Sequence, residues 1–136
     1  MLQELTIEDY EQILNLWKRV PGMGLSSADS QENIAVFFNR NPGLSFAYFE
    51  DGKIVGTILT GHDGRRGYIY HLAVDEAYRR RGIGLKLVQA SLEKLRESGI
   101  EKCHLFVFAD NQLGQEFWKS TGWNRRDDLL LFSKSL

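Results

Sequence analysis

Two segments in the first third of the chain place apolar residues every three or four positions, the spacing of one face of a helix. The first covers residues 7–20, and the second begins at Asp29 or Ser30, either of which is a suitable helix cap, and ends near residue 40. Between them, residues 21–27 (PGMGLSS) contain a proline and two glycines, which interrupt regular structure. The pattern predicts a helix, a loop and a second helix.

Alternating apolar residues in the middle of the chain indicate strands rather than helices. Three candidates, residues 45–50, 53–60 and 68–74, follow one another through short connections. The first connection is Asp51-Gly52, a dipeptide typical of a tight hairpin turn. The three segments therefore predict an antiparallel meander.

The second half of the chain alternates helix and strand patterns. A helix that ends at Gly99 is followed by a strand over residues 101–109, a helix over 111–121 and a final strand over 129–133, and residues 1–5 form a further short strand. A strand, a crossover helix and a second strand make those two strands parallel. The predicted fold class is α+β: a mixed, mostly antiparallel sheet of six to seven strands with about four helices on its faces.

Composition adds limits on what the chain can do. Its 136 residues (15.6 kDa) are 43% hydrophobic and 26% charged, as in a soluble globular domain. The formal net charge of -1 argues against general nucleic-acid binding, which requires a basic surface. Cys103 is the only cysteine, and no Cys/His cluster has metal-ligand spacing. Residues 1–136 are therefore predicted to be a single domain without a disulfide or a metal.

The sequence shows no pattern typical of a signal peptide or a membrane-spanning segment. The N-terminal segment MLQELTIEDYEQ is acidic and lacks the basic and apolar regions of a signal peptide. No apolar run approaches the ~20 residues that span a bilayer. These observations favour a cytoplasmic protein with no membrane contact.

A run of arginines and glycines precedes the predicted third helix, in the segment AVDEAYRRRGIGLKLVQASLEKL (residues 73–95). Adjacent like charges repel one another and glycine is a poor helix former, so local stability does not favour this stretch. Glycines between a strand and a helix expose backbone N–H groups at the positive end of the helix dipole, where phosphate oxygens bind. The pattern indicates an anion-binding loop formed by Arg79, Arg80, Arg81, Gly82, Ile83 and Gly84.

Two familiar phosphate-binding motifs do not fit this loop. The P-loop needs Gly-Lys-Ser/Thr, but Leu85 follows Gly84. The dinucleotide-binding fingerprint needs a further glycine where Leu87 stands, and sequential parallel βαβ units, which the predicted order lacks. The remaining pattern is Arg/Gln-x-x-Gly-x-Gly/Ala, which residues 79–84 satisfy in full.

With this loop the sequence resembles the GCN5-related N-acetyltransferase (GNAT) family, whose members hold the pyrophosphate of acetyl-CoA in such a loop. The segment HLAVDEAYRRRGIG looks like the family's fourth strand and loop, and residues 111–123 (NQLGQEFWKSTGW) are similar to its later segment. The element order also matches along the chain. The resemblance implies a GNAT-like fold, acetyl-CoA as cosubstrate without a metal, and direct acetyl transfer to a primary amine of a small molecule or protein.

Carried over residue by residue, the resemblance implies a set of acetyl-CoA contacts. Backbone groups of Leu72 and Val74 would pair with the pantetheine arm, and the Val74 N–H would lie near the thioester carbonyl. Ordinary alternatives remain: Arg80 and Arg81 can point to water, and Asn111 can serve only as a helix cap. The implied contacts are Leu72, Ala73, Val74, Arg79, Arg80, Arg81, Gly82, Ile83, Gly84, Asn111 and Trp118.

The candidates for catalysis are His71 and Val74. An imidazole changes its charge between about pH 5 and 8, so His71 can act as a general base, although a strand residue can equally just fill space. Simple alternation puts His71 on the opposite face of its strand from Tyr70, unless a bulge intervenes. Many family members carry a tyrosine that protonates the CoA sulfur, and here Trp118, which is not an acid, stands in its place. Water or another tyrosine, such as Tyr70, can substitute.

The sequence leaves the acceptor substrate and the oligomeric state undetermined. The protein is either an N-acetyltransferase or a non-catalytic acyl-CoA-binding or sensor module, an alternative that the missing tyrosine brings in. In the family, the first two helices and the loop between them wall the acceptor site, which corresponds here to residues 21–30. We expect acetyl-CoA and an amine as partners, no nucleic acid or membrane, and a monomer or homodimer.

Overall fold

The computed structural model describes all 136 residues and divides them into two compact units, Met1–Phe106 and Val107–Leu136. The first unit contains the strands β1 Leu2–Glu4, β2 Phe46–Glu50, β3 Lys53–His62, β4 Gly67–Val74 and β5 Cys103–Leu105, which form one sheet in that order. Its helices are α1 Tyr10–Arg19, α2 Gln31–Arg40 and α3 Ile83–Glu97, and the second unit contains α4 Gln112–Ser120. None of these helices has the length and apolar character that a membrane crossing requires.

The helix starts in the first unit follow from local side-chain chemistry. The hydroxyl of Ser30, one of the two predicted caps, accepts from the Asn33 N–H at 3.2 Å and begins α2. The other candidate, Asp29, lies in the short turn before it. A 3-10 turn over Ile7–Asp9 precedes α1, so the α-helix begins slightly later than predicted.

The sheet carries α1 and α2 on one face and α3 on the other. On the first face, Trp17 of α1 is 1% exposed, and its indole N–H donates to the Thr57 hydroxyl of β3 at 2.9 Å. On the second face, the Thr60 hydroxyl of β3 donates to the hydroxyl of Ser91 in α3 at 3.0 Å, and both residues are fully buried. These polar pairs satisfy each other inside the core, so they fix a helix to each face without leaving unpaired groups.

Two glycines let α3 lie close against the sheet. A Cβ atom at Gly56 of β3 would come within 3.0 Å of Ile83, and one at Gly67 of β4 would come within 2.7 Å of Leu95. A larger side chain at either position would push the helix away from the sheet. Gly56 pairs with Val74, so the first residue of α3 packs beside the end of β4.

A bulge at Tyr70 interrupts the alternation along β4. His71 pairs with Leu59 of β3, but the next residue of β3, Thr60, pairs with Ile69, so Tyr70 is the extra residue. The bulge brings Tyr70 onto the same face as His71, where its ring meets α2. The prediction of opposite faces was therefore wrong, because strict alternation ends where the register shifts.

The sheet has five strands, so the predicted six to seven was wrong. The strand predicted over residues 101–109 covers only Cys103–Leu105, because its neighbour β4 pairs with it no further than Ile69. The strand predicted over residues 129–133 is not formed, since these residues have no strand to pair with and the apolar side chains among them are exposed. The α+β class, the four α-helices and the parallel pairing of β4 with β5 are confirmed.

Candidate functional site

The last residues of β4 have a free edge. β5 pairs with β4 only over residues 67–69, so the sheet opens beyond that point. The Asp75 N–H donates to the Val55 carbonyl of β3 at 2.8 Å. Counting back from Asp75, every second residue directs its N–H toward β3, and the residues between them direct theirs away from it. The N–H groups of Leu72 and Val74 therefore point away from β3, toward the opening. An extended ligand can pair with β4 there as a further strand would.

The arginine-glycine loop continues directly from this edge. The backbone N–H groups of residues 80–85 have no acceptor within the chain, and the first bond of α3 runs from the Lys86 N–H to the Gly82 carbonyl at 3.1 Å. Gly82 has a φ of +75°, a left-handed conformation that glycine adopts without strain as the chain turns into the helix. Unpaired donors at the N-terminus of a 15-residue helix form a site for an anion.

The three arginines of the loop take different positions. Arg79 is half-buried, and its Nε donates to the Val74 carbonyl at 3.3 Å, which ties the loop to the free edge of β4. Arg80 is exposed, and the exposed Arg81 has its guanidinium 5.1 Å from the centre of the Tyr78 ring. No carboxylate forms an ion pair with any of the three. Their positive charge is therefore free to attract a polyanion.

Asp75 holds the turn that leads from β4 into this loop. Its carboxylate accepts from the Ala77 N–H at 3.0 Å and from the Arg19 guanidinium of α1 at 2.9 Å. The Ala77 N–H, with a smaller contribution from Arg19, lowers the pKa of the Asp75 carboxyl, because both donors favour its charged form. The approach to the loop is thus fixed by an ionised side chain.

His71 lies on the face of β4 that α1 and α2 cover. Its Nε2 is 2.7 Å from Oδ1 of Asp29, and its ring meets the Trp17 ring edge-on, with centroids 4.8 Å apart. The side chains of His71 and Asp29 are only 14% and 9% exposed. The sequence indicated Asp29 only as a possible helix cap, and no spacing signals a pair whose members lie 42 positions apart.

The second ring nitrogen of His71 is not fully buried. Every buried side-chain nitrogen and oxygen in the chain has a hydrogen-bond partner. Nδ1 of His71 has no partner within the chain, since the single bond of the ring is made by Nε2. Nδ1 is therefore not buried, and a small molecule or water can reach it.

Tyr70 lies beside His71 on the same face and is 49% exposed. Its ring packs edge-on against Phe37 of α2, with centroids 5.5 Å apart, and stacks on Tyr68 at 6.1 Å. Burial of part of the side chain, with a smaller contribution from Tyr68, raises the pKa of Tyr70. Its phenol thus stays protonated at neutral pH and is a possible hydrogen-bond donor beside His71.

Two of the predicted acetyl-CoA contacts belong to the second unit. Asn111 caps α4, since its Oδ1 accepts from the Gly114 N–H at 3.0 Å. Trp118 is half-buried and packs edge-on against Phe117 and Trp123, with centroids 5.0 and 5.1 Å away. Both residues have a local role, and their contact with acetyl-CoA stays a prediction.

Cys103 is expected to be a poorly reactive thiol. Burial raises its pKa to about 11. At pH 8, three units lower, only about one thiol in a thousand is ionised, and the thiolate is the nucleophile. We therefore expect iodoacetamide to label the native protein at least ~10-fold more slowly than the urea-unfolded protein, with the native rate rising toward pH 11. Equal labelling rates at pH 8, measured by mass spectrometry, would contradict this.

Sequence comparison identifies similar proteins along most of the chain. The sequence profile of the Acetyltransferase (GNAT) family matches residues 8–123. The chain is 32% identical to Acetyltransferase SG1711 of Sodalis glossinidius over 129 residues, which cover 95% of this chain and 90% of that protein. It is 35% identical to Acetyltransferase ECA0875 of Pectobacterium atrosepticum over 104 residues, which cover 76% of this chain and 73% of that protein.

Solved structures show the same fold. The PaiA N-acetyltransferase of Thermoplasma acidophilum, in complex with coenzyme A, superimposes with a TM-score of 0.80 at 21% identity, over 93% of this chain and 91% of that chain. An aminoglycoside acetyltransferase from an uncultured soil metagenomic sample, in complex with sisomicin, gives a TM-score of 0.80 at 26% identity, over 100% and 95% of the two chains.

Proposed function

The chain belongs to the acetyltransferase (GNAT) family and is an acetyl-CoA-dependent acyltransferase, and we propose that it transfers the acetyl group directly to a primary amine of a small molecule or a protein. One observation carries the proposal: the free edge of β4 leads straight into the unpaired N–H groups of residues 80–85. The same strand presents His71 on the face that α1 and α2 cover. The strand β4 thus connects the proposed binding site for the cosubstrate, called here the seat, with the proposed proton acceptor.

The residues of the loop and of β4 fit the two ends of acetyl-CoA, which supplies an activated acetyl thioester. We assign the pyrophosphate to the N–H groups at the start of α3, assisted by the charges of Arg80 and Arg81. Arg79 holds the loop on β4 through the Val74 carbonyl. The proposed seat in the first unit comprises Leu72, Ala73, Val74, Arg79, Arg80, Arg81, Gly82, Ile83 and Gly84. For Asn111 and Trp118, contact with acetyl-CoA is proposed from the family resemblance alone.

The backbone of β4 would align and polarise the thioester. The Leu72 and Val74 N–H groups face the open edge, where an extended pantetheine arm can pair with them. The Val74 N–H then donates to the carbonyl oxygen on which negative charge develops. Because this donor belongs to a paired strand, it needs no rearrangement during the reaction.

His71 is the proposed general base. A free amine with a pKa of ~10.4 is mostly protonated at neutral pH, so it must lose a proton before it can attack. Nδ1 of His71 is reachable from solvent and has no other partner, so it can accept that proton directly or through one water. The neighbouring aromatic rings exclude part of the solvent around it.

The departing thiol needs little acid assistance. A thiol with a pKa of ~8.5 is a tolerable leaving group, so Trp118 in place of a tyrosine weakens this step without abolishing it. The Tyr70 phenol or a water molecule can supply the proton. Since Tyr70 sits beside His71, one face of β4 would carry both proton transfers.

The acceptor would enter between α1, α2 and the loop before Asp29. This loop holds two glycines and two serine hydroxyl groups, which suit a polar amine. The similarity to an aminoglycoside acetyltransferase bound to sisomicin supports including aminoglycosides among the amines to be tested. Peptide N-termini, lysine side chains and polyamines complete the panel.

Acetyl-CoA is expected to raise Tm and to be consumed only when an amine is present. Ligand at 100-fold its Kd contributes about 2.7 kcal/mol of stability, which corresponds to a shift of at least ~5 °C in a chain of this size. Scanning calorimetry measures the shift, and release of free CoA measures turnover across the amine panel. An unmoved Tm with CoA, acetyl-CoA and longer acyl-CoAs would overturn the cosubstrate seat. A clear shift without turnover on any amine would instead favour the non-catalytic acyl-CoA-binding module.

A further inference from the structure

Asp29 is the charged residue buried against His71, and we propose that it is a positioning residue that fixes the imidazole tautomer and orientation of His71. The inference rests on the proposed role of His71 as general base. Asp29 belongs to residues 21–30, which the family resemblance assigns to the wall of the acceptor site, and is far in sequence from the loop of residues 79–84. In this proposal Asp29 acts through His71 and not by binding the amine or acetyl-CoA.

Asp29 is buried and bonded on all sides. The residue is 7% exposed, and a buried carboxylate is costly unless every oxygen is paired. Oδ1 contacts His71, and Oδ2 accepts from the Ser26 N–H at 3.0 Å. Its carbonyl accepts from the Tyr10 hydroxyl of α1 at 2.7 Å. The loop therefore holds the carboxylate of Asp29 through Ser26, while α1 holds its backbone carbonyl through Tyr10.

This arrangement determines which nitrogen of His71 carries the lone pair. An ionised carboxylate can only accept hydrogen bonds, so Nε2 must bear the hydrogen that points at Oδ1. In the neutral imidazole, the lone pair then lies on Nδ1, the nitrogen that solvent and an amine can reach. The Trp17 ring meets the imidazole edge-on and limits its rotation. Asp29 thus keeps the basic nitrogen outward.

No second ionised group competes with Asp29 for His71. Around the imidazole, α1 contributes the uncharged ring of Trp17, and β3 contributes the aliphatic Leu59. The other polar groups are two phenols: that of Tyr10 is bonded to the Asp29 carbonyl, and that of Tyr70, whose pKa is raised by burial, lies next to His71 in β4. Asp29 is the only carboxylate in hydrogen-bond contact with His71.

A purely structural role for Asp29 makes a different prediction. Asp29 also closes the turn before α2 through Ser26, so its removal could disturb the loop rather than His71. Asp29→Asn separates the two roles. The amide oxygen can keep the Ser26 bond, while the amide NH2 faces Nε2 and donates to it. Nε2 must then accept, which moves the ring hydrogen to Nδ1 and blocks the base.

The test compares Asp29→Asn with a matched control. We expect Asp29→Asn to lower kcat by about 10-fold or more, part of the ~10²-fold that a positioned base contributes, and to change the acidic limb of the pH-rate profile. The Tm shift with acetyl-CoA should stay that of the wild type. Asp63→Asn makes the same substitution at a carboxylate that closes the hairpin after β3 through the Arg65 and Arg66 N–H groups, and it should leave kcat and the pH profile unchanged.

The double variant His71→Ala/Asp29→Asn completes the experiment. If Asp29 acts through His71, its substitution has no further effect on kcat once His71 is gone. Wild-type kcat and pH profile in Asp29→Asn, beside an impaired His71→Ala, would overturn the inference and leave the base proposal standing. An unimpaired His71→Ala would overturn the base proposal itself. An additive loss in the double variant would also overturn the inference, because Asp29 would then act independently of His71.

Discussion

His71→Ala is expected to lower kcat for acetyl transfer by ~10²-fold or more, while acetyl-CoA still binds and raises Tm as in the wild type. The substitution removes the Nδ1 that the proposed mechanism uses to accept the proton of the amine. The seat for acetyl-CoA does not include the imidazole, so binding and turnover should separate. The loss should appear in steady-state CoA release with the best amine of the panel.

The pH dependence gives the same prediction a second readout. If His71 is the base, the acidic limb of the kcat/KM profile of the wild type should disappear or move in His71→Ala. His62→Ala is the matched control, because His62 is a second half-buried histidine that accepts from the Gly64 N–H in the hairpin after β3. Its removal should leave both kcat and the profile intact. An active His71→Ala with an unchanged profile would return His71 to a space-filling role.

Gly84→Val is expected to weaken acetyl-CoA binding by at least ~10-fold, which is about 1.4 kcal/mol, with the protein still folded. Gly84 lies in the first turn of α3, among the N–H groups that have no acceptor in the chain. A branched side chain there would keep the pyrophosphate from approaching the backbone. Valine is no worse a helix former than glycine, so α3 itself should not be destabilised.

Gly84 is a better position for this test than Gly82. Gly82 has a φ of +75°, so a valine there would add backbone strain and confuse lost binding with lost folding. Gln89→Val is the control: it places the same side chain on the exposed surface of α3, away from the loop, and should leave the Kd unchanged. Titration calorimetry with CoA measures both. A folded Gly84→Val with wild-type affinity would rule out the loop as the pyrophosphate seat.

The proposed acetyl-CoA loop could be located in the sequence because its parts are neighbours in the chain. The arginines, the two glycines and the start of α3 form one continuous stretch, and a helix N-terminus exposes the same N–H groups wherever it occurs. Most elements were equally local consequences of period and turn chemistry. The parallel pairing of β4 with β5 followed from the order strand, crossover helix, strand. The Asp51-Gly52 turn has positive φ at both residues, as its dipeptide predicts.

The surroundings of His71, the proposed base, depended on tertiary structure. The bulge at Tyr70 arises from the register between β3 and β4, and it reverses a face assignment that alternation alone makes. The short β5 likewise follows from where β4 stops pairing with it, which the apolar pattern of residues 101–109 does not reveal. Asp29 and His71 meet only because α1, α2 and their loop pack onto the sheet. Local sequence determined the anion loop and the helix starts, because backbone geometry there depends on adjacent residues. Only the packing of distant segments decided which side chains surround His71.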